Sequence, residues 1–260
     1  MASLEGFDET WFEHGGSGRT VYRRGKGPGV VIMHEIPGII PEVARFATRV
    51  ADAGFSVFMP YLFGETGRPF SWGYALDSVV SACVSREFNV LARRESSPVT
   101  EWFRALARHA HAEIGGRGVG AIGMCITGNF ALALAMDDAV MAPVLSQPSL
   151  PFSLVPGCKA ELHISDAELQ NLKRRAKTGL QVLGLRFTED PHCRPERFDR
   201  LRNELGDAFL AVEIDSSRGN PHGIWRFAHS VVTRDMVDEV GHPTKQAEER
   251  VIAFFKERLT

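Results

Sequence analysis

The stretch from Gly118 to Met136 constrains the fold more than any other part of the chain. An apolar run, Val119 to Ile122, stops at Gly123, Met124 and Cys125 follow, and Thr127-Gly128 open a run rich in alanine and leucine. That order reads as strand, sharp turn and helix. Glycines two before and three after the cysteine fit a strained turn where larger side chains would strike the crossing backbone. Such a turn lifts the Cys125 thiol above the sheet edge, at a helix N-terminus whose dipole and N–H groups favour a thiolate and a developing oxyanion. The competing reading is a buried, inert cysteine in a tight βα turn.

Around this turn strands and helices alternate. Gly15 to Gly29 reads as a hairpin about Thr20-Val-Tyr-Arg-Arg. Val30 to Met33 is a continuous apolar run, the mark of a strand buried on both faces, and it ends in the loop His34-Glu35-Ile36-Pro37-Gly38. Pro41 to Ala53 has helical periodicity closed by Gly54, and Phe55 to Pro60 is the next strand. A crossover of that length makes the sheet at least partly parallel. From 61 to 98 the periodicity weakens and aromatics mix with glycines and arginines. This insertion reads as a lid or pocket wall, or as an excursion that covers the sheet edge.

Glu101 to Ile114 is a helix, Ala139 to Leu145 a strand reaching a Ser/Pro-rich loop, Asp166 to Lys177 a helix and Leu180 to Phe187 a strand. Asp199 to Leu205 is a helix, Ala208 to Ile214 the last strand and Thr244 to Leu259 a closing helix. No repeat, linker or composition break interrupts the series. The pattern predicts an α/β fold over 1–260 as a single domain, with a mostly parallel, doubly wound sheet and helices on both faces. Ligands then bind beyond the carboxyl ends of the strands.

A net charge of −2 with no block of like charge argues against nucleic acid or an anionic membrane surface as partner. No window is apolar enough to span a membrane, and the acidic first eighteen residues do not read as a targeting segment. Cys83, Cys125, Cys158 and Cys193 are widely spaced, without a CxxC pair or an HExxH helix, so neither a disulfide scaffold nor a zinc site is expected. A reduced, cytoplasmic setting is the default expectation.

Three strand-end loops carry titratable groups in a telling order. Cys125 comes first. The strand ending at Phe187 delivers Thr188-Glu189-Asp190-Pro191, and the strand ending at Ile214 delivers the loop holding Pro221-His222-Gly223. Nucleophile, acid and histidine in that order suit a triad in which His222 takes the thiol proton and Asp190 fixes its tautomer. Two alternatives stay open: His229 as the base, with His222 capping a surface loop, and Glu189 as the acid. His34, His109, His111, His163 and His242 read as surface or core groups, and His192 and Cys193 as loop residues. The N–H groups of Ile36 and Ile126 are placed to form an oxyanion hole.

On these residues the chain resembles the dienelactone hydrolase family, or carboxymethylenebutenolidases, of the α/β-hydrolase fold. The resemblance rests on the elbow Gly123-Met-Cys125-Ile-Thr127-Gly128, on Asp190 and His222, and on the combination of a cysteine elbow with the glutamate of His34-Glu35-Ile36-x-Gly38. It extends from about Thr20 to Leu259. It implies hydrolysis of a small, carboxylate-bearing ester or lactone through a Cys-His-Asp triad, with no metal or organic cofactor, by a monomer or homodimer. It also implies that Glu35 accepts the thiol hydrogen bond at rest and releases it when substrate binds. Arginines hold the substrate carboxylate in the family, one of them just after the histidine. Arg226 matches that placement, and Arg86 in the insertion is a second candidate.

Thr127 stands where the family favours glycine, and the 61–98 insertion and the 218–240 loop exceed the compact family pattern. These departures motivate a second reading, a catalytically silent hydrolase-fold protein that binds a ligand or partner. A redox-sensing thiol is a third.

Overall fold

The computed structural model describes residues 4–84, 98–150 and 159–260. Arg86 and Cys158 lie outside these residues, as does the 85–97 part of the expected insertion.

Strands β1 (Asp8–His14) and β2 (Ser17–Arg24) form a hairpin, with Gly15 and Gly16 at positive φ in its turn. Then come β3 (Gly29–Met33), α1 (Pro41–Asp52), β4 (Ser56–Pro60), α2 (Trp72–Val84) and α3 (Pro98–Ile114). The central β5 (Val119–Met124) runs through a 3-10 turn at Cys125–Thr127 into α4 (Gly128–Leu134). The rest is β6 (Val140–Ser146), α5 (Asp166–Lys177), β7 (Val182–Phe187), α6 (Pro195–Leu205), β8 (Phe209–Ile214) and α7 (Pro243–Leu259).

The eight strands make one sheet in the order β1-β2-β4-β3-β5-β6-β7-β8. The first two strands pair antiparallel, and every pairing from β4 to β8 is parallel. Alternate residues of the continuous apolar strands feed two cores. Val30, Ile32, Ile122 and Leu185 meet α1 and α7 through Phe46, Val50, Phe254 and Phe255. Val31, Ala121, Leu145 and Val182 meet α3 to α6 through Trp102, Leu106, Phe130, Leu169 and Phe198. Each such side chain, once fully buried, contributes about 1.5–3 kcal/mol from its removal from water. The sheet is therefore doubly wound with helices on both faces, as its sequence pattern predicts.

Helix α3 begins at Pro98, three residues before the expected Glu101, and two further differences from expectation have a physical reason. Strand β1 was not anticipated, because Asp8–His14 is exposed along almost its whole length and carries no core-facing stripe. Helix α6 begins four residues early, its first turn set by Pro195, whose fixed φ and missing N–H suit position N1.

Candidate active site

The site lies at the carboxyl ends of β3, β5, β6, β7 and β8. Cys125 terminates β5 with φ 54°, a left-handed conformation that costs a non-glycine residue energy and is kept only where the surroundings impose it. The neighbours show how. A Cβ at Gly123 would lie 2.1 Å from the Thr127 carbonyl oxygen, and one at Gly128 would lie 2.6 Å from Pro148 Cα. Glycine is thus needed on both sides of the elbow. The thiol is half-buried, with Sγ 3.3 Å from Ser149 Oγ, and the Ser149 N–H donates to the Cys125 carbonyl at 2.9 Å.

Thr127 is accommodated by use. Its Oγ1 is fully buried, accepts the Met124 N–H at 2.8 Å and has the Met33 carbonyl at 2.8 Å as acceptor, with the Met124 carbonyl at 2.9 Å. The hydroxyl ties the elbow to the end of β3. An apolar side chain there would strand a buried N–H, at about 1–3 kcal/mol.

Asp190 follows β7 and is buried. Its Oδ1 accepts the His192 N–H at 2.8 Å and its Oδ2 lies 2.7 Å from His229 Nδ1. Glu189 faces outward and pairs with Arg226 at 3.4 Å. Of the two acids considered, only Asp190 meets a histidine at this site.

That histidine is His229, not the expected His222. Beyond β8 the chain makes a turn around Asn220, whose amide bonds Ser217 and Ile224 carbonyls and accepts the His222 and Ile224 N–H groups. The turn keeps His222 exposed, stacked edge-on against His242 at 5.4 Å. The chain returns to the sheet edge only at 228–233, where Ala228, Ser230, Val231, Val232 and Thr233 are buried. There the Asp235 carboxylate accepts the His229 and Ser230 N–H groups, both at 2.8 Å, and presents the imidazole to Asp190. Cys125 Sγ, a His229 ring nitrogen and a Glu35 oxygen all lie within 4.8 Å of one another. His229 Nε2 is buried and makes no hydrogen bond among the described residues. Burial alone would lower the His229 pKa, but the Cys125 thiolate and Asp190 outweigh it and hold the imidazole well above its ordinary value.

Glu35, at the end of β3, is also buried. Thr233 Oγ1 donates to its Oε1; Ser230 Oγ and Gln147 Nε2 donate to its Oε2 at 2.9 and 3.2 Å. Next to it, His34 accepts the Leu62 N–H on Nε2 at 3.1 Å, and burial lowers its pKa to about 4, so it is a neutral pin for the loop. Burial raises the Glu35 pKa, offset in part by His229, Thr233, Ser230 and Arg234. The sign fixes a pH dependence. Such a group favours folding below its ordinary value of 4.5, and the gain is lost as pH rises through the folded-state value. Between the two, stability falls by about 1.4 kcal/mol per pH unit. Glu35→Gln should remove this fall, so its Tm should pull ahead of the wild type as pH rises above about 5. Parallel Tm profiles for the two proteins would refute the assignment.

A cavity of about 300 Å³ opens over Cys125, bordered by Glu35, Ile36, Ile126, Ser149, His192 and His229 and, at its mouth, by Phe70, Trp72, Trp225, Phe227 and Arg234. Ile36 and Ile126, the expected oxyanion pair, both border this cavity. Arg226 does not border the cavity: it is exposed, lies over Phe227 at 4.9 Å and pairs with Glu189. Arg234 holds the cavity position instead. Gln147, Ser149, Ser230, Thr233 and Arg234 were missed by sequence reasoning; the only signal was the Ser/Pro-rich loop after β6. Glu35, Cys125 and His229 have the side-chain types of a metal site, but both Glu35 oxygens are already taken by hydroxyl and amide donors.

Comparison with known proteins agrees with this architecture. Residues 19–259 match the model of the dienelactone hydrolase family. A Saccharomyces cerevisiae protein named "Putative carboxymethylenebutenolidase" is 24% identical over 196 residues, covering 74% of this chain and 69% of the yeast one. The metagenomic dienelactone hydrolase-like promiscuous phosphotriesterase P91 superposes with a TM-score of 0.62 at 17% identity, over 98% of each chain. Dienelactone hydrolase from Anabaena variabilis gives 0.61 at 13% identity, over 98% of this chain and 100% of that one. Among the described residues no helix is long and apolar enough to cross a membrane. With a family match that runs from β2 to the end of α7, on a doubly wound sheet with a cysteine elbow, the chain belongs to the dienelactone hydrolase family of α/β-hydrolases, enzymes that cleave carboxylic esters and lactones.

Proposed function

We propose that this hydrolase opens a small carboxylate-bearing ester or lactone through a thioester acyl-enzyme on Cys125. The observation that carries the reading is the meeting of Cys125, His229 and Glu35 within 4.8 Å, with His229 anchored on Asp190. Cys125 Sγ attacks the carbonyl carbon, and the N–H groups of Ile36 and Ile126 stabilise the oxyanion. His229 takes the thiol proton and gives it to the leaving oxygen, then takes one from the water that hydrolyses the thioester and returns it to the departing sulfur. Asp190 stays ionised and holds the tautomer. Glu35, close to the thiol and short of water, has one lone pair beyond its three donors with which to accept the S–H hydrogen bond whenever Cys125 is protonated, before substrate draws that proton to His229. Thr127, one of the motives for a silent binder, serves the elbow, so that reading keeps only the enlarged loops in its favour.

Arg234 suits the substrate carboxylate. It borders the cavity, five residues past His229, and its charge already reaches Glu35. An anion bound there would weaken that stabilisation of ionised Glu35 and couple substrate arrival to the thiol. The test is hydrolysis of a carboxylate-bearing dienelactone beside its neutral methyl ester. We expect turnover of the acid, with a KM at least about tenfold lower than that of the ester, a difference of about 1.4 kcal/mol. Arg234→Ala should erase the difference. No turnover of lactones or of a panel of simple esters would overturn the reading, and an unchanged kcat/KM in Glu35→Gln would remove the role of that residue.

A further inference from the structure

Four aromatic side chains crowd the cavity mouth, and three of them stand in water. Trp72 is 71% exposed, Trp225 56% and Phe227 44%, while Phe70 is half-buried. They come from two distant parts of the chain: Phe70 and Trp72 from the entry into α2, Trp225 and Phe227 from the loop after β8. Each couple packs edge to face, at 5.3 and 5.4 Å between ring centres. Large apolar groups gathered in one exposed place mark a binding surface, because leaving each in water forgoes about 1.5–3 kcal/mol of burial.

The surface is the outer wall of the concavity over Cys125, which makes a small molecule its natural occupant. The Arg234 guanidinium lies over the rings of Phe70 and Trp72, at 4.6 and 5.7 Å from their centres. A cation held flat on an aromatic wall presents its edge to a carboxylate while the rings offer their faces to whatever carries it. A cavity of about 300 Å³ also sits at the lower bound of pockets that take drug-sized ligands, about 300–1,000 Å³, and its mouth extends the apolar lining further.

We infer that the substrate carries a planar aromatic group stacked on this mouth, so that the enzyme's preferred class is aryl-bearing carboxylate esters or lactones instead of a bare lactone acid. The inference rests on the proposed hydrolysis at Cys125 for its chemistry, but its binding component stands apart from turnover. Phe70 and Trp72 supply the wall next to the carboxylate. Trp225 and Phe227, from the loop after β8, supply a second part of the lining.

The test has two arms on the full-length protein. Calorimetric titration with 2-naphthoate, which holds no scissile ester, should give a Kd at least tenfold below that for cyclohexanecarboxylate, about 1.4 kcal/mol. Trp225→Leu, which keeps apolar bulk but removes the ring, and Trp72→Leu should each raise the naphthoate Kd about threefold to tenfold. In the second arm, the ratio of kcat/KM for an aryl ester to that for the matching acetate ester should fall by a similar factor in both variants, through KM. Equal Kd for the two acids, or a ratio unmoved by either substitution, would overturn the inference. Naphthoate binding without hydrolysis of any ester would uphold the aryl site and defeat the reaction assigned to Cys125.

Discussion

Cys125→Ala should lower kcat/KM for any ester the wild type cleaves by about a thousandfold or more. Loss of a nucleophile removes the covalent route and leaves only oxyanion stabilisation and binding. The fold should survive, because the side chain is half-buried and alanine removes one atom from a strained turn that Gly123 and Gly128 shape. The covalent intermediate gives a second readout. Wild-type protein quenched in acid during turnover should carry the acyl mass on the peptide containing Cys125. Near-wild-type hydrolysis by the alanine variant would mean that water is activated directly and that the thiol is a bystander.

His229→Ala should cost about 10²–10⁴-fold in kcat/KM, the range for a lost general acid–base, while His222→Ala should change it less than twofold. The contrast follows from placement: one imidazole is bonded to Asp190 beside the thiol, the other is exposed against His242. The variants should also separate in the pH dependence of Cys125 alkylation. In the wild type the raised His229 pKa and the thiolate support each other, so alkylation should persist to lower pH than in His229→Ala. A large loss in His222→Ala together with an active His229→Ala would restore the first histidine as the base.

The comparison of these two residues shows what could be read from the chain. The elbow was legible because its glycines, its cysteine and the flanking strand and helix are contiguous, and the parallel strands because Val30–Met33 and Val119–Ile122 are apolar without alternation. Asp190 was legible because it follows its strand at once, within three residues of Phe187. The base was not, because the chain after β8 stays at the surface from Ser217 to Phe227 before it is buried again at Ala228, and only the Asn220 turn decides which histidine comes back. The clamp on Glu35 was hidden for a similar reason. Ser230 and Thr233 are almost two hundred positions away in sequence, and nothing local marks a serine or threonine that will meet a distant carboxylate. Arg226 shared the fate of His222, since its placement was counted from the wrong histidine.

Asp235 gives that late segment a property of its own. One carboxylate oxygen receives the His229 and Ser230 N–H groups and also the Arg234 guanidinium at 3.2 Å. Seven consecutive residues therefore carry the imidazole, two hydroxyl donors to Glu35 and the cation at the cavity, and they organise themselves around their own last member. The heptad behaves as a cartridge. With the Asn220 turn kept, the exposed Trp225 and Phe227 should be open to exchange without disturbing the chemistry the heptad delivers, so specificity at the rim can drift while the reaction stays fixed.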